Sequence, residues 1–205
     1  MQTITHTLPG YRVFEYLLVI TPHAELSARI QKLKTGFAEK YKTEQKSGGR
    51  PQLVLASFSQ YEMLQERILH RLEHLAMGFP PFLVNLKDFG SIPDHTIYVK
   101  AASKLPIQEL VKTIRSGTQR LMKMNEENKP HFIMEPHFNL ARKLKPWQYE
   151  KGWLEYSQRH FSASFIVGSF AVLRRLKGET RYHLLQQFPL QNLPVHTKQG
   201  ELFMD

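Results

Sequence analysis

Apolar residues follow two kinds of spacing along the chain, one typical of strands and the other typical of helices. Residues 13–20 form an apolar run closed by Thr21 and Pro22, which is typical of a buried strand. Between residues 23 and 42 apolar side chains return every three or four positions, which indicates an amphipathic helix. The same patterns predict strands at 53–58, 82–89, 96–101, 131–141, 161–173 and 180–188, and helices near 64–75, 107–121 and 147–158. Strands that alternate with helices, together with hairpins, indicate an α+β fold.

Polar segments divide these elements. Residues 43–50, TEQKSGGR, predict a flexible loop, and glycines at 90 and 178 mark turns between strands. Residues 1–10 and about 189–205 show little periodicity, so we expect irregular tails on a single domain that spans 1–205.

Composition narrows the class of protein. The chain has 205 residues and no cysteine, which excludes disulfides, thiolate catalysis and cysteine-based zinc sites. The apolar runs are too short to span a bilayer, so we expect a soluble cytoplasmic protein without membrane contact. The net charge of +10 suits a polyanion such as RNA or a small phosphate ester, but it suits a solvated basic surface equally well.

A short internal repeat connects the two halves of the chain. Residues 51–56 read PQLVLA and residues 136–141 read PHFNLA, so both follow the pattern proline, polar, apolar, variable, leucine, alanine. Each unit follows a helix and a polar loop, although so loose a match also arises by chance. If the repeat is structural, two lobes each present one strand to a shared cleft, and Gln52 faces His137.

Two facing histidines would suit phosphodiester chemistry. One takes a proton from the attacking hydroxyl or water, and the other protonates the leaving oxygen. A threonine or serine two residues further along the strand lies on the same face and donates a hydrogen bond to a phosphate oxygen. The required unit is therefore histidine, apolar, hydroxyl residue, apolar, twice.

On these motifs the sequence resembles the 2H phosphoesterases, the group that includes 2′-5′ RNA ligases and RNA cyclic phosphodiesterases. The resemblance covers roughly residues 12–175 and includes YLLVITP, RPQLVLASF, PFLVNLKDFGSIPDHTIYVKA, EPHFNLARKL and FSASFIVGSFAVLRR. It implies two pseudo-symmetric lobes around a central cleft, each an antiparallel sheet with helices packed outside. It also implies RNA termini or nucleotide phosphates as ligands and no metal or other cofactor.

Three of the four motif positions depart from the family pattern. The family's first histidine falls on Gln52 and its hydroxyl residue on Val54, whereas the second motif keeps His137 but has Asn139 in place of the hydroxyl residue. Glutamine has no titratable proton near neutral pH and valine donates no hydrogen bond, while the asparagine amide still donates one. We therefore expect an impaired enzyme, with Arg142 as a further phosphate contact or else as a solvated strand-end cation.

Other histidines are weaker candidates. His70 and His74 match the H-x-x-E-H zinc pattern, but helical spacing places both opposite the apolar stripe, where a catalytic zinc site lacks a buried third ligand. His95 is followed directly by Thr96, so the two point to opposite faces of a strand and a strand-entry role is expected. His131 and His160 remain candidates for a replacement proton donor.

Three functions stay open at this point. The first is a catalytically impaired 2H protein that binds RNA ends or nucleotide phosphates. The second is an active phosphodiesterase that uses His137 with His131 or His160 as the second group. The third is a non-catalytic scaffold for another protein. Phe58, Tyr61 and Tyr98 would stack a base near the cleft or pack in the core.

Overall fold

A computed structural model describes residues 10–43 and 49–194, so the predicted tail segments 1–9 and 195–205 and most of the loop at 43–50 lie outside the described residues. The described elements are β1 (Val13–Ile20), α1 (Ala24–Tyr41), β2 (Leu53–Tyr61), a 3₁₀ turn (Glu62–Leu64), α2 (Gln65–Gly78), β3 (Phe82–Ile92), β4 (Thr96–Ala101), α3 (Lys104–Met122), β5 (His131–Phe132), β6 (Phe138–Ala141), α4 (Pro146–Tyr156), β7 (Ser162–Val167), β8 (Ser169–Leu176) and β9 (His183–Pro189).

The strands form two antiparallel sheets, one in each lobe. Sheet A has the order β5-β2-β1-β8-β9, and sheet B has the order β6-β4-β3-β7. Helices α2 and α3 pack on sheet A, while α1 and α4 pack on sheet B. This confirms the predicted α+β fold with two lobes.

The segment from β5 to β6 joins the two sheets at their edges. His131 pairs with Ser57 on β2, and the amide of Ile133 donates to the carbonyl of Leu55 at 2.8 Å. Five residues after Ile133 the chain enters β6, which pairs with β4 of sheet B. Residues 131–141 therefore run beside β2, the strand of the first motif, and then contribute the second motif.

The predicted strand at 161–173 is instead two strands in different sheets. Residues up to Val167 belong to β7 of sheet B, and Ser169 begins β8 of sheet A. Gly168 lies between them, outside either strand. The pattern could not reveal this break because both strands are apolar and only one residue separates them.

The predicted strand at 131–141 is also divided, into β5 and β6, with Pro136 and His137 outside both. The hairpin of β3 and β4 is confirmed, although β3 continues to Ile92 and leaves a shorter turn. The turn at Gly178 is confirmed as well, and its φ of 100° suits glycine.

None of the described helices is long and apolar enough to cross a membrane.

Gly152 is a contact point between α4, α1 and sheet B. A Cβ at this position would lie 2.8 Å from the ring atoms of Phe37 and 3.2 Å from the Cδ1 of Ile97. Both neighbours are fully buried, at 1% and 0% exposure, so neither has room to move away. The absence of a side chain on α4 therefore sets how closely this helix approaches the lobe.

Gly152→Ala is expected to lower the free energy of unfolding by up to about 2 kcal/mol. Overpacking a core costs about 1–3 kcal/mol, and the gain of about 1 kcal/mol in helix propensity offsets part of that cost. The matched control is Gly36→Ala in α1, where a Cβ meets nothing within 4 Å, and it should instead stabilise the protein. Urea unfolding of both variants checks this, and equal shifts of the same sign would contradict it.

Candidate functional site

The first motif lies at the start of β2 on sheet A. Gln52 directly precedes the strand and is half-buried, as is Val54, while Leu53 and Leu55 are fully buried. This alternation places Gln52 and Val54 on the face of sheet A that is turned away from α2 and α3. Val54 pairs with Val19 on β1, so the position that needs a hydroxyl group lies beside another aliphatic side chain.

The second motif lies at the start of β6 on sheet B. His137 and Asn139 are half-buried, while Phe138 and Leu140 are buried on the opposite face. The ring Nδ1 of His137 lies 3.1 Å from the backbone carbonyl of Glu135. A carbonyl only accepts, so Nδ1 carries the proton, and in the neutral ring Nε2 keeps its lone pair.

The environment of His137 favours the neutral imidazole. Burial is the main cause that lowers the pKa of His137 below its usual value, and the charge of Arg142 lowers it further. Hydrogen bonds to the Glu135 carbonyl and the Asn139 side chain act in the opposite direction but do not outweigh burial. The His137 ring is therefore neutral near neutral pH and so in the form that can accept a proton.

Tyr98 holds the imidazole from one side. The two rings are tilted by 31° with centroids 4.1 Å apart. Tyr98 pairs with Asn139 on β6 and with Gly90 on β3, and a Cβ at Gly90 would lie 2.5 Å from the Tyr98 ring. The glycine thus lets the tyrosine ring lie flat across the sheet and reach His137, whereas Phe58, another candidate for base stacking, is core and stacks on Tyr16.

Lys34 of α1 interacts with one residue close in sequence to each of the two motifs, Gly49 and Arg142. Its Nζ donates to the carbonyl of Gly49 at 3.3 Å, three residues before Gln52. Burial and the charge of Arg142 lower the pKa of Lys34, so the two cations lie close enough to repel each other. We call Lys34, His137 and Arg142 the basic cluster. Sequence reasoning missed Lys34 because its spacing on α1 carries no signal.

A polar pocket of about 310 Å³ lies further along β2. Its lining includes Glu15, Ser57, Ser59, His131, Arg175 and Tyr182. Glu15 accepts a hydrogen bond from the Arg175 guanidinium at 2.5 Å, so these two charged side chains of the pocket pair with each other. The exposed His131 lines this pocket, but His137 is not part of its lining, so the pocket does not bring the two candidate groups together. A larger groove between α1 and α4 contains neither motif.

The remaining histidine candidates lie at the surface or in a turn. The side chain of His160 is 95% exposed, and its Nδ1 lies 3.4 Å from the Asp88 carboxylate. His95 lies in the turn before β4, so its expected place at the strand entry is confirmed. The prediction that His95 and Thr96 point to opposite faces is wrong: His95 precedes the strand, and its Nδ1 lies 2.6 Å from the Thr96 hydroxyl.

The charged groups that influence the pKa of His137 are Arg142, which lowers it, and Glu135, which raises it. Among residues 10–43 and 49–194, the His137 side chain contacts the Glu135 carbonyl and the Tyr98 ring, and it makes no hydrogen bond with Gln52. No group of three or more potential metal ligands is found in that part of the chain either. The arrangement can accept a proton and bind an anion, but Gln52 cannot return the proton to a leaving group.

A family model described as the 2′-5′ RNA ligase superfamily matches residues 22–179, which include both motifs. The chain belongs to the 2′-5′ RNA ligase superfamily. This confirms the resemblance to the 2H phosphoesterases. No curated protein sequence matches this superfamily member significantly.

Solved structures of the superfamily share its fold. The Escherichia coli LigT complex with 3′-AMP is 19% identical, covers 87% of this chain and 98% of its own, and gives a TM-score of 0.56. The LigT complex with phosphate gives a TM-score of 0.53 at the same identity and coverage. TT0787 of Thermus thermophilus is 20% identical, with 86% and 98% coverage and a TM-score of 0.55. At such identities the likeness establishes the two-lobed fold.

Proposed function

We propose that this superfamily member binds RNA ends or nucleotide phosphates in the cleft and is catalytically impaired as a phosphodiesterase. The observation that carries the proposal is the unequal pair of motifs. His137 on one lobe has its Nδ1 proton fixed and a lowered pKa, whereas the corresponding position on the other lobe is Gln52. Binding of a phosphate requires the side chains of one motif together with positive charge, whereas turnover requires a second titratable group.

The basic cluster supports an anionic ligand. Burial and, after it, the charge of Arg142 lower the pKa of Lys34, and an anion bound between the two cations would oppose the second of these effects. Asn139 adds an amide beside the imidazole, and an amide nitrogen donates to a phosphate oxygen. The net charge of +10 attracts such a ligand at longer range.

The ligands of the relatives point to the same class. LigT has been crystallised with 3′-AMP and with phosphate, and both carry the group that the basic cluster would contact. Binding requires less of a site than catalysis does, so recognition of a nucleotide phosphate can persist where Gln52 and Val54 replace the catalytic residue types. Action in the cytoplasm remains a prediction.

Calorimetric titration with 3′-AMP tests the proposal. Lys34→Met is expected to weaken binding about tenfold or more, because hydrogen bonds to charged groups contribute about 1.5–3 kcal/mol. Lys32→Met, an exposed lysine on the same helix, is the matched control and should change the affinity by much less. Equal affinities for the wild type and both variants would sink the proposal, as would no binding by a folded wild type.

One alternative is an active phosphodiesterase in which His131, a residue of the polar pocket, replaces the missing proton donor. In that case the wild type would hydrolyse 2′,3′-cyclic nucleotides, and His131→Ala would abolish this activity. The impaired-enzyme proposal expects negligible wild-type hydrolysis and no effect of this change.

A further inference from the structure

His70 and His74 face each other on the outer surface of α2. Both are exposed and lie one helical turn apart, and their Nε2 atoms are 3.3 Å apart. The rings meet edge to face, with centroids 4.5 Å apart and an interplanar angle of 71°. The same helix buries Leu72 and Ala76 on its inner face, so the pair is directed to solvent, as the sequence predicted.

This separation matches a chelate. Two nitrogens that each lie about 2.0–2.1 Å from a tetrahedral zinc ion are about 3.3–3.4 Å apart. Imidazole nitrogens are ligands that zinc prefers, and residues four apart on a helix present both of them to one ion. The Nε2 atoms of His70 and His74 are therefore separated by the distance that two nitrogen ligands of one zinc ion require.

We propose that His70 and His74 form a surface site for Zn²⁺ whose other two positions are filled by water. No third protein ligand completes the site within the described part of the chain, which separates it from a catalytic H-x-x-E-H centre. The site shares no residue with the basic cluster, so we expect zinc and phosphate to bind independently.

A metal bound there would stabilise α2. The chelate ties residues 70 and 74 across one turn, which adds to the helical hydrogen bonds of that turn. The end of α2 also holds the chain beyond β9, because the carbonyls of Ala76 and Met77 accept from the amides of Gln191 and Leu193. Zinc binding is thus linked to the stability of this whole edge of the lobe.

Titration of the wild-type protein with ZnCl₂ after chelator treatment tests the proposal. We expect one zinc ion per chain and a thermal midpoint that rises with zinc concentration. His74→Ala should weaken binding at least about tenfold and remove the thermal shift, because one of two ligands is lost. The matched control is His183→Ala, which removes a single exposed histidine on β9 and should leave both readouts unchanged.

Two results would overturn the site. One is a wild type that takes up no stoichiometric zinc, and the other is a folded His74→Ala protein that binds zinc as tightly as the wild type. Because α2 exposes both imidazoles, the alanine variant should fold normally, and circular dichroism without zinc checks this. Unchanged 3′-AMP affinity with and without zinc would support the independence of the two sites.

Discussion

The double substitution Gln52→His/Val54→Thr is expected to raise the turnover of 2′,3′-cyclic nucleotides by about 10²-fold or more above the wild type. A histidine at position 52 would supply the titratable group that the first motif lacks, and general acid–base catalysis contributes about 10²–10⁴-fold. The position is half-buried at the start of β2, as His137 is at the start of β6, so an imidazole there has a comparable environment.

The threonine in this variant would stabilise the negative charge of the phosphate and would not transfer a proton. At position 54 its hydroxyl would replace a methyl group beside Val19 and donate a hydrogen bond to a phosphate oxygen. Loss of one such donor costs about 10²–10³-fold in other enzymes, so each single substitution should gain much less than the pair.

Gln52→Asn/Val54→Ile is the matched control for the double substitution. It alters the same two positions but introduces neither a titratable group nor a hydroxyl, so turnover should stay at the wild-type level. If the double substitution gains nothing while the protein stays folded and still binds 3′-AMP, Gln52 and Val54 do not occupy the first motif. Wild-type turnover that already equals the double variant would show that the enzyme is not impaired.

The second large effect is expected from His137→Ala in the restored Gln52→His/Val54→Thr background. This change should remove the gain, a loss of about 10²–10⁴-fold, because the restored imidazole then lacks a second acid–base group. Initial rates on the cyclic nucleotide measure it. His160→Ala is the matched control, since its exposed imidazole pairs with Asp88, and it should keep the gain.

The pH profile of the restored variant gives an independent check on the role of His137. Burial lowers the pKa of His137, so its neutral, proton-accepting form persists below the ordinary histidine value of about 6.5. If His137 is the base, the acid limb of the rate profile lies below that value. A limb at or above it would assign the base to another group.

Much of the fold could be predicted from local patterns. The strand at 13–20 and the helix at 24–41 follow from apolar spacing because each element must bury one face or both. The motif strands were located by the same means, since Leu53, Leu55, Phe138 and Leu140 alternate with the polar positions. Within the candidate site, the identities at 52, 54, 137 and 139 already limited the available proton chemistry.

The sequence by itself determined which side chains can titrate, donate or accept, because those properties belong to the residue type: Gln52 cannot act as an acid in any fold. Only the tertiary structure decided which groups meet. The tertiary structure brings Tyr98 into contact with His137 over Gly90, and it places Lys34 near Arg142, although these residues are distant in sequence. It also separates β7 from β8 at Gly168 and assigns the two strands to different sheets. The reason is that periodicity records burial against a neighbour, whereas the identity of that neighbour depends on how the two sheets and their helices pack.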